Sequence, residues 1–232
     1  MDGIIIMLKY PQPGMVKTRL AKELGTEGAT WLYRHFVTCE LVTVHSLHVP
    51  VILSCHPCQP LPAYRDWLGG GYRYISQGEG DLGAKMRTSF ETAFAQGCSR
   101  VVLTGSDLPH LPAEYLQSAL TRLQHHDAVL GPALDGGYYL MGLHRRSFQP
   151  GIFEEIPWST SQVLALTHKR LADYGLKTFL LPNLRDVDTL EDLKDLFTVQ
   201  DLPVALPQDL KQSIRNLVNS SGQSSTLGSS LA

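Results

Sequence analysis

Short apolar runs rich in β-branched residues alternate along the chain with longer stretches of helical period, and this alternation constrains the fold most. The runs at residues 3–9 (GIIIMLK) and 100–105 (RVVLTG) have the composition of strands that are buried on both faces. Parallel strands need long crossover connections, which are usually helices. We therefore expect an α/β fold of the Rossmann-like type, with a mostly parallel central sheet and helices on both faces.

The same pattern predicts the other elements. Further strands are expected at residues 49–55, 72–76, 127–132, 137–143 and 177–181. Helices are expected at residues 18–24 and 27–47, separated by Gly25, and at residues 82–96, 113–125, 159–174 and 188–197. Ser159 is expected to cap its helix through a capping box with Gln162. The proline-rich residues 59–62 are not expected to open a helix.

The domain boundary is expected near residue 198. Residues 1–198 carry the alternating pattern of one α/β domain, and the apolar share of the whole chain, 43%, is ordinary for a globular protein. Residues 199–232 have a weak apolar period and end in Ser/Gly-rich sequence. We expect this segment to be a disordered tail.

Composition also excludes several classes of protein. The net charge is −2 and the basic residues are scattered, so a nucleic-acid partner is not expected. No apolar run is long enough for a membrane span, and the N-terminus lacks the basic flank of a signal peptide. A cytoplasmic protein with reduced cysteines is the expectation. Cys55 and Cys58 have redox spacing, but without a helix directly after them neither redox nor zinc chemistry is favoured.

The loop after the first strand carries the features of a phosphate-binding site. Gly14, next to Pro13, allows the backbone to approach a ligand closely, and amide groups at a helix start favour an anion. Lys17 and Arg19 add two cations, and an arginine can bind a phosphate through two hydrogen bonds. The alternative is a solvated basic loop. The spacing matches neither a Walker loop nor a Rossmann fingerprint.

Two later loops carry carboxylates that suit a divalent metal. Asp107 follows the buried strand at residues 100–105, and Asp188 lies in a later acidic loop. One or two carboxylates together with substrate phosphates complete the octahedral shell of Mg²⁺. Each residue also has a purely structural alternative, because Asp107 could cap the following helix and Asp188 could cap the last one.

A fourth loop has the composition of an acceptor site. Asp135 is followed by Gly136, Gly137 and the two aromatic residues Tyr138 and Tyr139. A carboxylate beside paired aromatic side chains suits a hydroxyl-rich acceptor. The alternative is a plain hairpin turn between two strands, for which Asp-Gly is a common sequence.

Taken together and in order, these loops resemble a known family. The matching runs lie at residues 9–20 (KYPQPGMVKTRL), 80–86 (GDLGAKM), 105–109 (GSDLP), 131–140 (GPALDGGYYL) and 158–160 (WST). They resemble the glycosyltransferase-like proteins labelled arsenosugar-biosynthesis or radical-SAM-associated transferases. These belong to the nucleotide-diphospho-sugar transferase superfamily, which has the GT-A fold. The resemblance covers about residues 3–197. Leu108 departs from the small or polar residue that the family often has there.

The resemblance implies roles for particular residues. Asp107 would hold a divalent cation, Mg²⁺ or Mn²⁺, against the donor phosphates, and Asp188 matches a second metal position in related nucleotidyltransferases such as the 2-phospholactate guanylyltransferases. The loop with Gly14, Lys17 and Arg19 would bind the nucleotide phosphates. Further residues would lie near the base or ribose, namely Gly80, Asp81 and Gly83, and Trp158 would join the acceptor site.

Three functions remain open from the sequence. The first is a metal-dependent transferase that moves a glycosyl group from a nucleotide-sugar to a small acceptor, with Asp107, Lys17 and Asp135 as catalytic residues. The second is a guanylyltransferase-like nucleotidyltransferase that acts on a nucleoside triphosphate and a phosphorylated acceptor. The third is a nucleotide-binding protein without catalysis. Two candidate metal carboxylates favour an enzyme.

Overall fold

A computed structural model of the chain describes residues 1–198 and, farther along, Gln212 and Asn216. The elements of the described part are, in chain order, β1 (Asp2–Leu8), α1 (Ala21–His45), β2 (Val51–Cys55), α2 (Leu61–Leu68), β3 (Arg73–Ser76), α3 (Leu82–Ala95), β4 (Arg100–Thr104), α4 (Ala113–Arg122), β5 (Ala128–Pro132), β6 (Tyr138–His144), α5 (Val163–Asp173), β7 (Thr178–Leu180) and α6 (Leu190–Thr198). The tail predicted at residues 199–232 lies, apart from those two positions, outside the described residues.

The strands form one sheet in the order β3-β2-β1-β4-β6-β5-β7. All pairs are parallel except those of β6, which runs antiparallel to both β4 and β5. In the parallel half, Ile4 of β1 lies opposite Val51 of β2 and Val102 of β4. The predicted mostly parallel sheet is confirmed.

Both faces of the sheet are covered by helices, as predicted. Successive side chains of a strand point to opposite faces. Accordingly, Ile4 and Ile6 pack into the cluster that holds the inner sides of α1, α2 and α4, whereas Ile5 packs into the cluster under α3 and α5. Helix α6 covers the outer side of α1 through a third cluster that includes Phe36 and Leu193.

One helix was not predicted, and the start of another differs from the prediction. Helix α2 was not expected, yet it begins directly after Pro60, and Pro62 lies in its first turn. Proline is tolerated there because the first amide groups of a helix have no partner within it. The predicted Ser159 cap is wrong. Ser159 has a φ of +64°, outside the extended region of a capping residue, and α5 begins only at Val163. The predicted break at Gly25 is confirmed by its φ of +72°.

The first cysteine of the redox-spaced pair, Cys55, is a core residue. Cys55 is buried in β2, and burial raises the pKa of its thiol to about 12, which is the opposite of what a reactive thiolate needs. Within residues 1–198, no helix combines the length and the apolar character that crossing a membrane requires.

A buried carboxyl group anchors the loop that follows β4. Glu40 on α1 is 1% exposed, and its Oε1 accepts a hydrogen bond of 2.9 Å from the amide N of Leu108. Its Oε2 has no hydrogen-bond partner among the described residues. Burial raises the pKa of Glu40 well above its ordinary value; the Leu108 hydrogen bond opposes this shift and Asp107 adds to it. Glu40 is therefore protonated in the folded protein over a pH range in which the unfolded chain is ionised.

The contribution of Glu40 to the stability of the fold is predicted to fall as the pH rises. Above about pH 4.3 the unfolded carboxyl ionises while the folded one keeps its proton, so Glu40 costs up to about 1.4 kcal/mol per pH unit until its folded pKa is passed. Glu40→Gln keeps the acceptor for Leu108 but cannot ionise. Denaturant unfolding at several pH values should show that the free energy of unfolding of Glu40→Gln increases relative to that of the wild type as the pH rises. The exposed Glu114→Gln is the matched control, and parallel profiles of wild type and Glu40→Gln would contradict the assignment.

Candidate functional site

A cleft of about 890 Å³ lies at the carboxyl ends of β1 and β4. Its walls come from the loop after β1, the loop after β4, the start of β6, and the segments that precede α5 and α6. Ligands of open α/β sheets bind at this edge. The cleft brings together Lys17, Arg19, Asp107, Asp135, Tyr138, Trp158 and Asp188, which the sequence analysis proposes from five separate segments.

Lys17 is the centre of this site. Its Nζ lies 2.5 Å from Oδ1 of Asp107 and 3.0 Å from Oδ1 of Asp188, and it donates to the carbonyl oxygen of Val187 at 2.8 Å. The side chain is 3% exposed, and the backbone has a φ of +46°, in the left-handed region that non-glycine residues rarely adopt. Three oxygens therefore hold the ammonium group of a residue whose backbone is strained.

The two basic residues of this loop differ in their surroundings. Burial lowers the pKa of Lys17, but the charges of Asp107 and Asp188 and their hydrogen bonds outweigh it, so the pKa is raised. Lys17 thus stays charged although it is buried. Arg19 is 72% exposed and only approaches Asp188, at 3.7 Å. Its guanidinium group is open to an incoming anion.

The structure removes both capping alternatives for the carboxylates. Helix α4 begins at Ala113, after Pro112 in the cap position, so Asp107 is too early in the chain to cap it. At α6, the amide of Asp192 donates to Oγ1 of Thr189, and Oδ2 of Asp192 accepts from the amide of Thr189 at 2.9 Å. Since Thr189 and Asp192 cap this helix, the carboxylate of Asp188 is left to face Lys17.

Asp186 belongs to the cleft but was not singled out in the sequence. It lines the cleft, and its Oδ1 is buried without a hydrogen-bond partner among the described residues. Burial raises the pKa of Asp186 to about 7, and the charges of Asp107, Asp188 and Asp135 add to the shift. Its signal in the sequence is the spacing of two from Asp188, because alternate residues of an extended segment share one side.

The described residues contain no group of three or more acidic, histidine or cysteine side chains arranged to hold a metal by themselves. Asp107 and Asp188 nevertheless both contact Nζ of Lys17, so their oxygens converge on one cationic group. A divalent cation at this pair would depend on substrate phosphates for the rest of its shell, as is common for Mg²⁺.

Other proposed nucleotide-binding residues lie apart from the cleft lining. Pro13 and Gly14 lie in an exposed turn, where Gly14 has a φ of +78°. Asp81 caps α3 by accepting from the amide of Ala84. Gly83 packs against Trp158, since a Cβ atom there would lie 2.7 Å from the indole ring. Contact of these residues, and of Gly80, with a nucleotide stays a prediction.

The acceptor loop is a turn that is locked to the segment before α5. Oδ1 of Asp135 accepts from the amide of Gly137 at 2.8 Å, as expected of a turn between two antiparallel strands. Gly136 has a φ of +89°, and a Cβ atom there would lie 2.2 Å from the carbonyl oxygen of Ser161. The amide of Leu164 donates to the carbonyl of Gly136. The turn alternative is thus correct, and the same turn lines the cleft.

Tyr138 and Tyr139 both line the cleft, but their rings do not lie side by side, because neighbouring residues of β6 point to opposite faces. The ring of Tyr139 packs over Gly131, and its hydroxyl donates to the carbonyl of Pro182. Tyr138 instead meets Trp158 edge to face, with 6.4 Å between ring centroids. Tyr138 and Trp158 therefore form one aromatic wall of the cleft.

Tyr33 is a further cleft residue that the sequence did not reveal. Its hydroxyl accepts from the amide of Lys9 at 2.9 Å and shares a hydrogen bond of 3.0 Å with Oγ of Ser106. It therefore ties the ends of β1 and β4 together. Burial raises the pKa of Tyr33, so the hydroxyl stays protonated. A tyrosine at the apolar period of a helix looks like any other core residue in the sequence.

Comparison with solved structures supports the predicted enzyme class. A crystal structure of a candidate nucleotide-diphospho-sugar transferase from Desulfovibrio desulfuricans is 36% identical, covers 95% of this chain and 97% of its own, and superposes with a TM-score of 0.87. This similarity favours an enzyme of the glycosyl- or nucleotidyltransferase type.

Two more distant structures share the fold. The 4-diphosphocytidyl-2C-methyl-D-erythritol synthase of Anaerococcus prevotii is 14% identical over 82% of this chain and 94% of its own, with a TM-score of 0.54. A CMP:2-keto-3-deoxy-manno-octonic acid synthetase solved with CTP is 12% identical over 84% and 96%, with a TM-score of 0.52. Both confirm the Rossmann-like architecture.

Comparison at the level of sequence identifies a family for the chain but no curated relative. None of the curated proteins matches the chain. Residues 41–160 match the family described as "Uncharacterized protein conserved in bacteria (DUF2064)", and the matched region contains the Asp107 and Asp135 loops. The chain therefore belongs to the DUF2064 family, within the nucleotide-diphospho-sugar transferase superfamily.

Proposed function

We propose that the protein is a metal-dependent transferase that moves a glycosyl group from a nucleotide-sugar to a small acceptor. One observation carries the proposal: a single cleft holds the cations of the β1 loop, a convergent carboxylate pair and an aromatic wall with its own carboxylate. Its volume, about 890 Å³, is near the upper end for small-molecule sites and leaves room for two substrates.

The carboxylate pair fits a divalent cation. Asp107 and Asp188 already converge on the ammonium of Lys17, and both remain about half exposed toward the cleft. Carboxylate oxygens are the ligands that Mg²⁺ and Mn²⁺ prefer. When bound, the cation would neutralise charge on the donor diphosphate. The two aspartates would hold it, and the phosphates would complete its shell.

The remaining residues act on the donor and the acceptor. The exposed guanidinium of Arg19 is placed to bind a phosphate through two hydrogen bonds and, with the cationic Lys17, to stabilise the departing nucleoside diphosphate. The bond between the anomeric carbon and the phosphate oxygen breaks, and a bond to the acceptor oxygen forms. Asp135 orients the acceptor hydroxyl and takes its proton, while Tyr138 and Trp158 pack against the acceptor.

Nucleotidyl transfer is the second candidate, favoured by the likeness of the fold to two synthetases whose names point to cytidylyl products. In that reaction a phosphorylated acceptor attacks the α-phosphate of a triphosphate, and pyrophosphate leaves. Sugar transfer is preferred because an aromatic wall beside a carboxylate suits a hydroxylated ligand better than a phosphate. The arsenosugar-biosynthesis subtype stays a prediction, since it depends on the acceptor.

The products distinguish the candidates. A thermal-shift panel of nucleotides and nucleotide-sugars, with and without Mg²⁺ or Mn²⁺, first identifies the donor, since a ligand at about a hundred times its dissociation constant stabilises the fold by about 2.7 kcal/mol. Incubation with acceptors should then release a nucleoside diphosphate. Release of pyrophosphate from a triphosphate would support nucleotidyl transfer instead, and binding without any product would leave a nucleotide sensor.

Asp107→Asn is predicted to abolish metal-dependent donor binding without unfolding the protein. The amide is nearly isosteric with the carboxylate but is a poor ligand for a hard cation, so the affinity in the presence of Mg²⁺ should fall at least about ten-fold. Isothermal titration with the donor measures the loss. Asp173→Asn, an exposed residue outside the cleft, is the control. Unchanged metal-dependent affinity in Asp107→Asn would remove Asp107 from the metal site.

Trp158→Leu is predicted to weaken acceptor use selectively. Loss of the aromatic surface beside Tyr138 should raise the acceptor KM about ten-fold, the equivalent of about 1.4 kcal/mol, and leave the donor dissociation constant unchanged. Steady-state kinetics with the acceptor varied give the comparison. Trp31→Leu, at a partly exposed tryptophan on α1 outside the cleft lining, should behave as the wild type. A donor affinity that falls as much as the acceptor affinity would place Trp158 at the donor instead.

A further inference from the structure

The ammonium group of Lys17 has used all its hydrogen-bonding capacity. An ammonium carries three N–H donors. Its three oxygen partners are Oδ1 of Asp107, Oδ1 of Asp188 and the carbonyl oxygen of Val187. With 3% of the side chain exposed, Lys17 has no donor left for a phosphate in this arrangement. The residue that the sequence predicts to bind phosphate is bound instead to the proposed metal ligands.

We infer that Lys17 and the divalent cation compete for the Asp107–Asp188 pair, so that metal binding releases the Lys17 ammonium toward the donor phosphates. The inference rests on the metal dependence of the proposed function and adds an exchange of one cation for another. Both carboxylates direct Oδ1 at Nζ, and a cation bound through the same two Oδ1 atoms must take the place of the ammonium. Lys17 thereby fills the pair in the absence of metal and prevents two unpaired carboxylates from facing each other.

The charges around the pair favour this exchange. Asp186 and Asp135 line the same cleft as this pair. One lysine, with the exposed Arg19 at the edge, therefore faces more negative charge than it neutralises. A doubly charged cation compensates this excess better than a single ammonium does, and phosphate groups then supply new partners for the displaced lysine.

The backbone gives independent support. Lys17 has a φ of +46°, and a non-glycine residue in this region is strained. Its contacts with three oxygens offset that strain while they last. Residues 12–15 form an exposed turn in which Gly14 has a φ of +78°, and the buried Val16 separates this turn from Lys17. A loop with strain at one end and an exposed turn at the other can change conformation when the contacts of Lys17 are lost.

Binding of Mn²⁺ alone to the full-length protein tests the exchange. Lys17→Met keeps the length of the side chain and removes the charge, so the metal no longer has to displace a competitor. Electron paramagnetic resonance of free Mn²⁺ should show a dissociation constant at least about ten-fold lower than in the wild type. Arg19→Met is the control, because it removes a positive charge from the same loop but leaves Lys17 bound to Asp107 and Asp188. It should change the dissociation constant of Mn²⁺ far less.

A second measurement uses the wild-type protein and does not depend on the folding of a variant. An amine-reactive acetylating reagent, followed by peptide mass spectrometry, should label Lys17 slowly without metal and several-fold faster with saturating Mn²⁺. The labelling of Lys169, an exposed lysine outside the cleft, should not respond to the metal.

Each outcome decides the inference. Tighter Mn²⁺ binding in Lys17→Met together with faster labelling of Lys17 supports the exchange. Equal affinity in Lys17→Met and wild type, or an equal gain in Arg19→Met, overturns it and leaves the metal dependence of the proposed function intact. Absence of Mn²⁺ binding in all three proteins overturns the inference, because the metal then does not displace Lys17 by itself. The proposed metal site, which draws ligands from the donor phosphates, is tested separately by the metal dependence of donor binding.

Discussion

Parallel strands that leave the sheet at one edge are the constraint on which the site depends. β1 lies between β2 and β4 and runs parallel to both, so the loops that follow β1 and β4 begin side by side. Lys17 and Asp107 are 90 residues apart in the chain and are brought into contact by this arrangement. Tyr33 bridges the two strand ends from α1, and Glu40 anchors the backbone directly after Asp107.

Electrostatic balance within the cleft follows from the same geometry. Carboxylates from three loops meet at one edge, and such a group is stable only if a cation or protons compensate it. The structure uses both means. Lys17 lies between Asp107 and Asp188, whereas burial and the neighbouring charges raise the pKa of Asp186 to about 7. Charge compensation in the cleft is therefore shared between the Lys17 ammonium and the raised pKa of Asp186.

Much of this arrangement could be predicted from the sequence. The alternation of apolar runs predicts the sheet, and the rule that ligands bind at strand ends predicts that Lys17, Asp107 and Asp188 meet. Details that depend on side-chain direction could not be predicted as well. Tyr138 and Tyr139 looked like a pair, although a strand sends neighbours to opposite faces and the true partner of Tyr138, Trp158, is 20 residues away.

Other features were missed for different reasons, namely hydrogen bonding, burial and the position of prolines in a helix. Whether Thr189 or Asp188 caps α6 depends on hydrogen bonds with Asp192 that the sequence leaves open. The importance of Asp186 follows from its burial among other carboxylates, and burial is not visible in a motif. Helix α2 was missed because Pro60 before it and Pro62 in its first turn look like a break, while the start of a helix needs none of the amides that they remove.

The close contact between Gly136 and Ser161 has a consequence for how this protein family can diversify. Because the β5–β6 turn touches the backbone before α5 at a glycine, no side chain fits between them, and the two segments form one rigid wall. A longer turn or a longer segment before α5 would break the contact between Gly136 and Ser161 and open the cleft. The shape of the cleft would therefore change through exchange of side chains such as Trp158 on a fixed backbone, while the loops keep their length.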